Sequence, residues 1–143
     1  MSLILQAEVV LALLLAALLG GLIGLNREQA NRPAGFRTHM LVAVGSTLFT
    51  LLSVHAFDPG DPGRVASQIL PGMGFLGAGA ILKERGSIIG LTTAASIWTT
   101  AAIGMAIGVG AWLLAMAGTI IVWTVLVVVY KITPNMRESE DNG

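Results

Sequence analysis

The residues able to do chemistry in this chain fall into three groups. Arg27 and Glu28 stand at the end of the first apolar run, with Arg37 a short way beyond. Thr92, Thr93, Ser96, Thr99 and Thr100 recur within one later apolar run. Between these lies Pro71 followed by Gly72-Met73-Gly74-Phe75-Leu76-Gly77 and then Gly79. At about 100° per helical residue the five hydroxyls project within roughly a third of the circumference, so they form one stripe. Such a stripe serves interhelical hydrogen bonding first and a solute path second. Arg27 and Glu28 are placed to pair with Arg37 or Glu84 where helix ends meet, or to anchor the chain at the interface. The glycine run has the letters GxGxxG, yet no βαβ unit surrounds it, so close helix packing at Gly72, Gly74, Gly77 and Gly79 is the stronger reading than a dinucleotide site. A helix broken at Pro71 and Gly72, exposing backbone groups to an ion or solute, is the sharper alternative.

Enzyme chemistry is poorly supplied. The sequence contains no HExxH, P-loop or GxSxG, and no carboxylate pair within an apolar segment. No cysteine is present, which excludes thiolate chemistry. A non-enzymatic protein without a cofactor is therefore expected. A magnesium path prefers several carboxylates, and Glu8 is the sole one inside the first apolar segment, so no metal ligands are assigned. His39 and His55 lie at opposite ends of one run, about 24 Å apart at helical rise, and are expected at the two interfaces. Net charge is zero and the basic residues are scattered, which leaves no footprint for nucleic acid.

The elements that position these groups are set by lipid. With 55% hydrophobic and 11% charged residues in 143, the chain has more apolar surface than one soluble core of that size can hide. No charge interrupts Gly86 to Tyr130, a stretch that as one helix would be about 68 Å long, twice a bilayer core, so it folds back at Gly108-Val109-Gly110. Five spans follow: Leu3 to Leu25, Thr38 to Phe57, Val65 to Leu82, Leu91 to Gly108 and Ala111 to Tyr130. The predicted fold is an all-α bundle of five transmembrane helices over residues 1–130, with a short mobile cytoplasmic tail over 131–143. Its third helix is interrupted by Gly and Pro, and because broken backbone is not tolerated against lipid, the neighbours are expected to wrap it. Small residues at Ala16, Gly20, Gly21 and Gly24, and at Gly104 and Gly108, mark further contact faces, within one chain or between copies. Arg27, Arg32, Arg37, Lys83, Arg85, Lys131 and Arg137 fall on one side of this arrangement, against Arg64 on the other, which predicts an N-terminus outside and a C-terminus in the cytoplasm.

The run GLIGLNREQANRPAGFRTHMLVAVGS, followed by RVASQILPGMGFLGAGAILKERGSIIGLTTAASIWTTAAIGMAIG, resembles the MgtC/SapB family of bacterial membrane proteins. The resemblance rests on the order of several blocks: a glycine face ending in Arg27-Glu28, then Gly35 to Thr38, Gly72 to Ile81 and Gly90 to Trp98. It implies a multi-pass protein of the bacterial inner membrane, linked in its family to magnesium limitation, stress and virulence. It also implies a regulator acting on membrane partners such as a magnesium transporter or ATP synthase, with a small magnesium or solute transporter as the alternative. Longer members add a soluble C-terminal domain of the ACT type, whereas this sequence continues only as a short tail. The chain is expected in the bilayer as a homo-oligomer, a dimer being favoured.

Overall fold

A computed structural model describes residues 3–56, 61–84 and 87–132. Helix α1 (Leu3–Gln29) is followed by α2 (Phe36–His55), a 3₁₀ turn (Ala66–Gln68) and α3 (Ile69–Gly79). A two-stranded antiparallel hairpin, β1 (Leu82–Glu84) and β2 (Ser87–Ile89), leads to α4 (Leu91–Gly108). Helix α5 (Trp112–Thr124) then continues through a π segment (Val125–Val129) into a last α turn (Tyr130–Ile132). Among the described residues, four stretches are long and apolar enough to cross a membrane: Gln6–Gln29, Phe36–His55, Leu91–Gly108 and Trp112–Val129. The all-α membrane bundle is as expected, and the small hairpin is an addition to it.

The turns have local causes. Asn31, with φ 53°, reverses the chain after α1. Gly110, with φ 79°, does so between α4 and α5, where the glycine pair indicated a turn. Gly90 has φ 86° and approaches the Ala80 carbonyl so closely that a side chain would not fit, which fastens the end of α3 to the start of α4.

Contacts fix the directions of the helices. His39 meets Ser96, Ser46 meets Ala101 and Thr47 meets Gly104, so α2 and α4 run parallel. Gly77 lies beside Ala94, while Ile69 joins Ile97 and Ala101 in one apolar cluster, so α3 runs against α4. The ends of α1 and α5 converge, with Asn26, Arg27 and Arg32 lining one cavity together with Leu126, Val127 and Lys131. A second apolar cluster joins Ala12, Ala16, Leu19 and Ile23 of α1 to Ala43, Ile103, Ile107 and Ala115.

Glycine allows α2 to touch both of its neighbours. A Cβ at Gly20 would lie 2.6 Å from the His39 carbonyl oxygen, and one at Gly24 would lie 2.7 Å from that of Gly35. On the other flank, a Cβ at Gly104 would lie 2.5 Å from the Ala43 oxygen, and one at Gly108 would lie 2.6 Å from Thr50 Cβ. These distances are shorter than any methyl group tolerates, so the backbones approach as small-residue interfaces in lipid require.

The third crossing departs from expectation in three respects. It is short: the 3₁₀ turn and α3 together span Ala66 to Gly79, about 21 Å at helical rise. It is also unbroken, because Pro71 falls in the first turn of α3, where a missing N–H is tolerated. Nor is it wrapped: Leu70, Leu76 and above all Phe75, 81% accessible, face outward, and α3 packs chiefly on α4. With its backbone hydrogen-bonded as a helix, the segment needs no shelter. Gly77 does pack, against Ala94, but a Cβ at Gly72, Gly74 or Gly79 would meet nothing within 4 Å, so these three are not packing glycines within the chain.

Two substitutions separate the glycine roles. Gly104→Ala is expected to lower the thermal unfolding midpoint of the protein in mild detergent, with a loss of about 1–3 kcal/mol from overpacking. Gly79→Ala should keep it unchanged or raise it slightly, and equal midpoints would refute the α2–α4 contact as a determinant of stability.

Candidate functional site

The last turns of α1 send adjacent side chains in different directions. Arg27 turns inward, 5% exposed, and its Nη2 donates to Thr93 Oγ1 at 3.0 Å. Glu28, about 100° further round the helix, is exposed and accepts the Phe36 N–H at 2.7 Å, capping the first turn of α2. Gly35 permits that cap, since a Cβ there would stand 2.7 Å from Glu28 Oε2.

One turn into α2, His39 is fully buried. Its Nδ1 lies 2.9 Å from the Gly35 carbonyl oxygen, which only accepts, so Nδ1 carries hydrogen. Its Nε2 lies 3.0 Å from Ser96 Oγ. Ser96 has one hydroxyl hydrogen and a second acceptor within reach, the Thr93 carbonyl at 2.8 Å. While the ring is neutral, that hydrogen serves one acceptor at a time. A doubly protonated ring would instead donate at both nitrogens and leave the serine hydrogen to Thr93. Arg27, Thr93, Ser96, His39 and Gly35 thus form one polar junction that ties α1, α2 and α4 together.

Deeper in the bundle the hydroxyls are taken up by backbone. Ser46 donates to the Ala101 carbonyl at 2.6 Å and Thr47 to that of Gly104 at 2.8 Å, both across the α2–α4 contact. Thr50 donates to Ser46 at 2.8 Å and Thr100 to Ser96 at 2.7 Å, each along its own helix. Ser46 and Thr47 thus zip the two helices face to face. At the far end Ser53 donates to the Pro62 carbonyl and accepts the N–H groups of Val65 and Ala66, which secures the loop leading into the 3₁₀ turn.

Of the residues singled out by sequence, Arg27, Thr93 and Ser96 meet in the junction, and Gly20 and Gly24 make room beside it. Glu28 lies next to it as the cap of α2. Arg37 and Thr92 are exposed. The hydroxyl stripe of α4 divides accordingly, with Thr93, Ser96 and Thr100 buried and Thr92 and Thr99 at its edge. His39, expected at an interface, is buried within the bundle: Gly24 leaves room for its Cβ, and both ring nitrogens find partners. Ser46, Thr47, Thr50 and Ser53 were not singled out, although Ser46, Thr50 and Ser53 recur at three or four residues along α2, beginning two turns after His39. Among the described residues no three His, Cys, Asp or Glu side chains gather to hold a metal ion.

The MgtC family profile matches residues 13–134. YhiD of Escherichia coli K12, named as a candidate magnesium transporter, is 44% identical, the match covering 89% of this chain and 63% of YhiD. Protein MgtC of Salmonella typhimurium LT2 is 49% identical over 79% of this chain and 48% of its own length. Protein SrpB of Synechococcus elongatus is 46% identical over 75% of this chain and 66% of SrpB. The chain therefore spans about half to two thirds of these relatives' length. No solved structure matches it. With four apolar helices long enough to span a bilayer and a family match over most of its length, the chain is a multi-pass membrane protein belonging to the MgtC family.

Proposed function

We propose that this protein is a non-catalytic regulator of the bacterial inner membrane, used under magnesium limitation or related stress and acting through membrane partners. The observation that carries this reading is the closed polar interior. Arg27, a buried cation, stands at the head of the hydroxyl stripe, and below it the hydroxyls of α2 and α4 are committed to carbonyls. A divalent cation entering there would meet a fixed positive charge in a medium of low dielectric, where repulsion is strong. It would also find no carboxylate along the stripe to replace its water.

In this reading the end bearing Arg27, Arg32, Arg37 and Lys131 faces the cytoplasm, following the positive-inside rule. Arg37 and Thr92, exposed at that end, offer contact to a partner, and the junction of Arg27, Thr93 and Ser96 holds the helix ends that present them. Magnesium transport is the second reading, favoured by the name of YhiD.

Purified protein in liposomes loaded with a magnesium indicator should show no saturable magnesium flux above protein-free vesicles. Saturable flux without partners would overturn the regulatory reading. In native membranes, cross-linking at low and at high magnesium should capture a partner in a magnesium-dependent manner, and Arg37→Gln should reduce that capture severalfold without changing the amount of protein. Thr93→Val removes the Thr93 hydroxyl from the Arg27 guanidinium and is expected to cost about 1.5–3 kcal/mol of stability, read by denaturation in detergent. A Thr93→Val protein as stable as the parent would remove the junction as the support of the helix ends.

A further inference from the structure

Beside the junction, and outside it, a cavity of about 210 Å³ opens between the end of α1 and the end of the α5 stretch. Arg27, Arg32 and Lys131 line it together with the amide side chains of Asn26 and Gln29, and no carboxylate is among its described lining residues. Leu126 and Val127 of the π segment form the remaining wall. Burial holds Arg27 in place at the back, while Arg32 is half-buried and Lys131 exposed, which makes these two a rim.

The depth of this cavity is set by helix length. Helix α1 has 27 residues, about 40 Å, and a bilayer's hydrocarbon core is ~30 Å thick, so the last turns of α1 reach the headgroup layer. Lys131 likewise lies just past the span that ends at Val129. Arg27, Arg32 and Lys131 thus gather at the ends of two candidate spans, where lipid phosphates would be met, beside an apolar wall that runs on to the exposed Val128 and Val129. A free anion would use the cations and waste the wall. A phospholipid uses both.

We infer that this cavity binds the phosphate of an anionic phospholipid, with Arg32 and Lys131 closing on the headgroup in front of Arg27 and the acyl chains lying along Leu126 and Val127. Basic pockets between helix ends are suited to such headgroups, and guanidinium groups to phosphate oxygens. The site adds a ligand to the proposed function and does not depend on it.

The test is titration calorimetry on the full chain in an uncharged detergent with three probes: dioctanoyl phosphatidylglycerol, dioctanoyl phosphatidylcholine and inorganic phosphate. Phosphatidylglycerol should bind saturably, and phosphatidylcholine at least tenfold more weakly. Arg32→Gln and Lys131→Gln should each weaken phosphatidylglycerol about fivefold. Lys83→Gln, which removes the same charge from the hairpin, should leave binding unchanged, and all three variants should keep the parent's thermal midpoint without lipid. Equal binding of both lipids, or equal losses in all three variants, would overturn the site in favour of diffuse surface attraction. No loss in the Arg32 and Lys131 variants would do the same. Inorganic phosphate binding as tightly as phosphatidylglycerol would overturn the lipid as the source of the anion.

Discussion

Close backbone contact on both flanks of α2 is the constraint on which the rest of this structure depends. In lipid, two apolar helices gain little by touching each other, because the acyl chains they displace are equally apolar. Association must come from dispersion at short range and from hydrogen bonds, and both require small residues where the helices cross. Gly20 and Gly24 supply the approach on the α1 side, Gly104 and Gly108 on the α4 side. Only at that separation do the hydroxyls of Ser46 and Thr47 reach carbonyls of a neighbouring helix.

The same closeness makes a buried arginine tolerable. A cation withdrawn from water is costly unless hydrogen bonds and local dipoles compensate it. Arg27 sits in the last turn of α1, where the helix dipole favours positive charge, and it donates to Thr93. Glu28 has the complementary place, at the positive end of α2. One pair of adjacent residues therefore satisfies two helix termini of opposite polarity, and Gly35 gives the carboxylate its path. His39 joins the arrangement through its two ring nitrogens, which fixes the rotation of α2 relative to α4.

Much of the fold was legible in the sequence because lipid imposes simple rules. Span length, the uncharged run folding back near Gly108 to Gly110, and glycines spaced by four all follow from geometry that a chain cannot evade. The junction was half legible. Arg27, Thr93 and Ser96 stood out by type and spacing, whereas the position of His39 near a helix end gave no sign that Gly35 and Ser96 take up its ring nitrogens inside the bundle. The glycines of the third crossing misled for the opposite reason. Gly72, Gly74 and Gly79 have the composition of a packing face, but which side of a helix meets a neighbour is decided by the partner helix, here Ala94 against Gly77 alone. The paired strands Leu82–Glu84 and Ser87–Ile89 were likewise hidden in a charged loop too short to show a periodic pattern.

Helix α3 is tethered at both ends, through Ser53 at one and Gly90 at the other, and this bears on the membrane itself. At about 21 Å it is shorter than hydrocarbon about 30 Å deep, and its fixed ends leave it no slack to lengthen. Where the flank carrying Phe75 meets acyl chains, so short a helix would favour leaflets that thin beside it. A preference for thinner or more deformable membrane would then follow from one short helix.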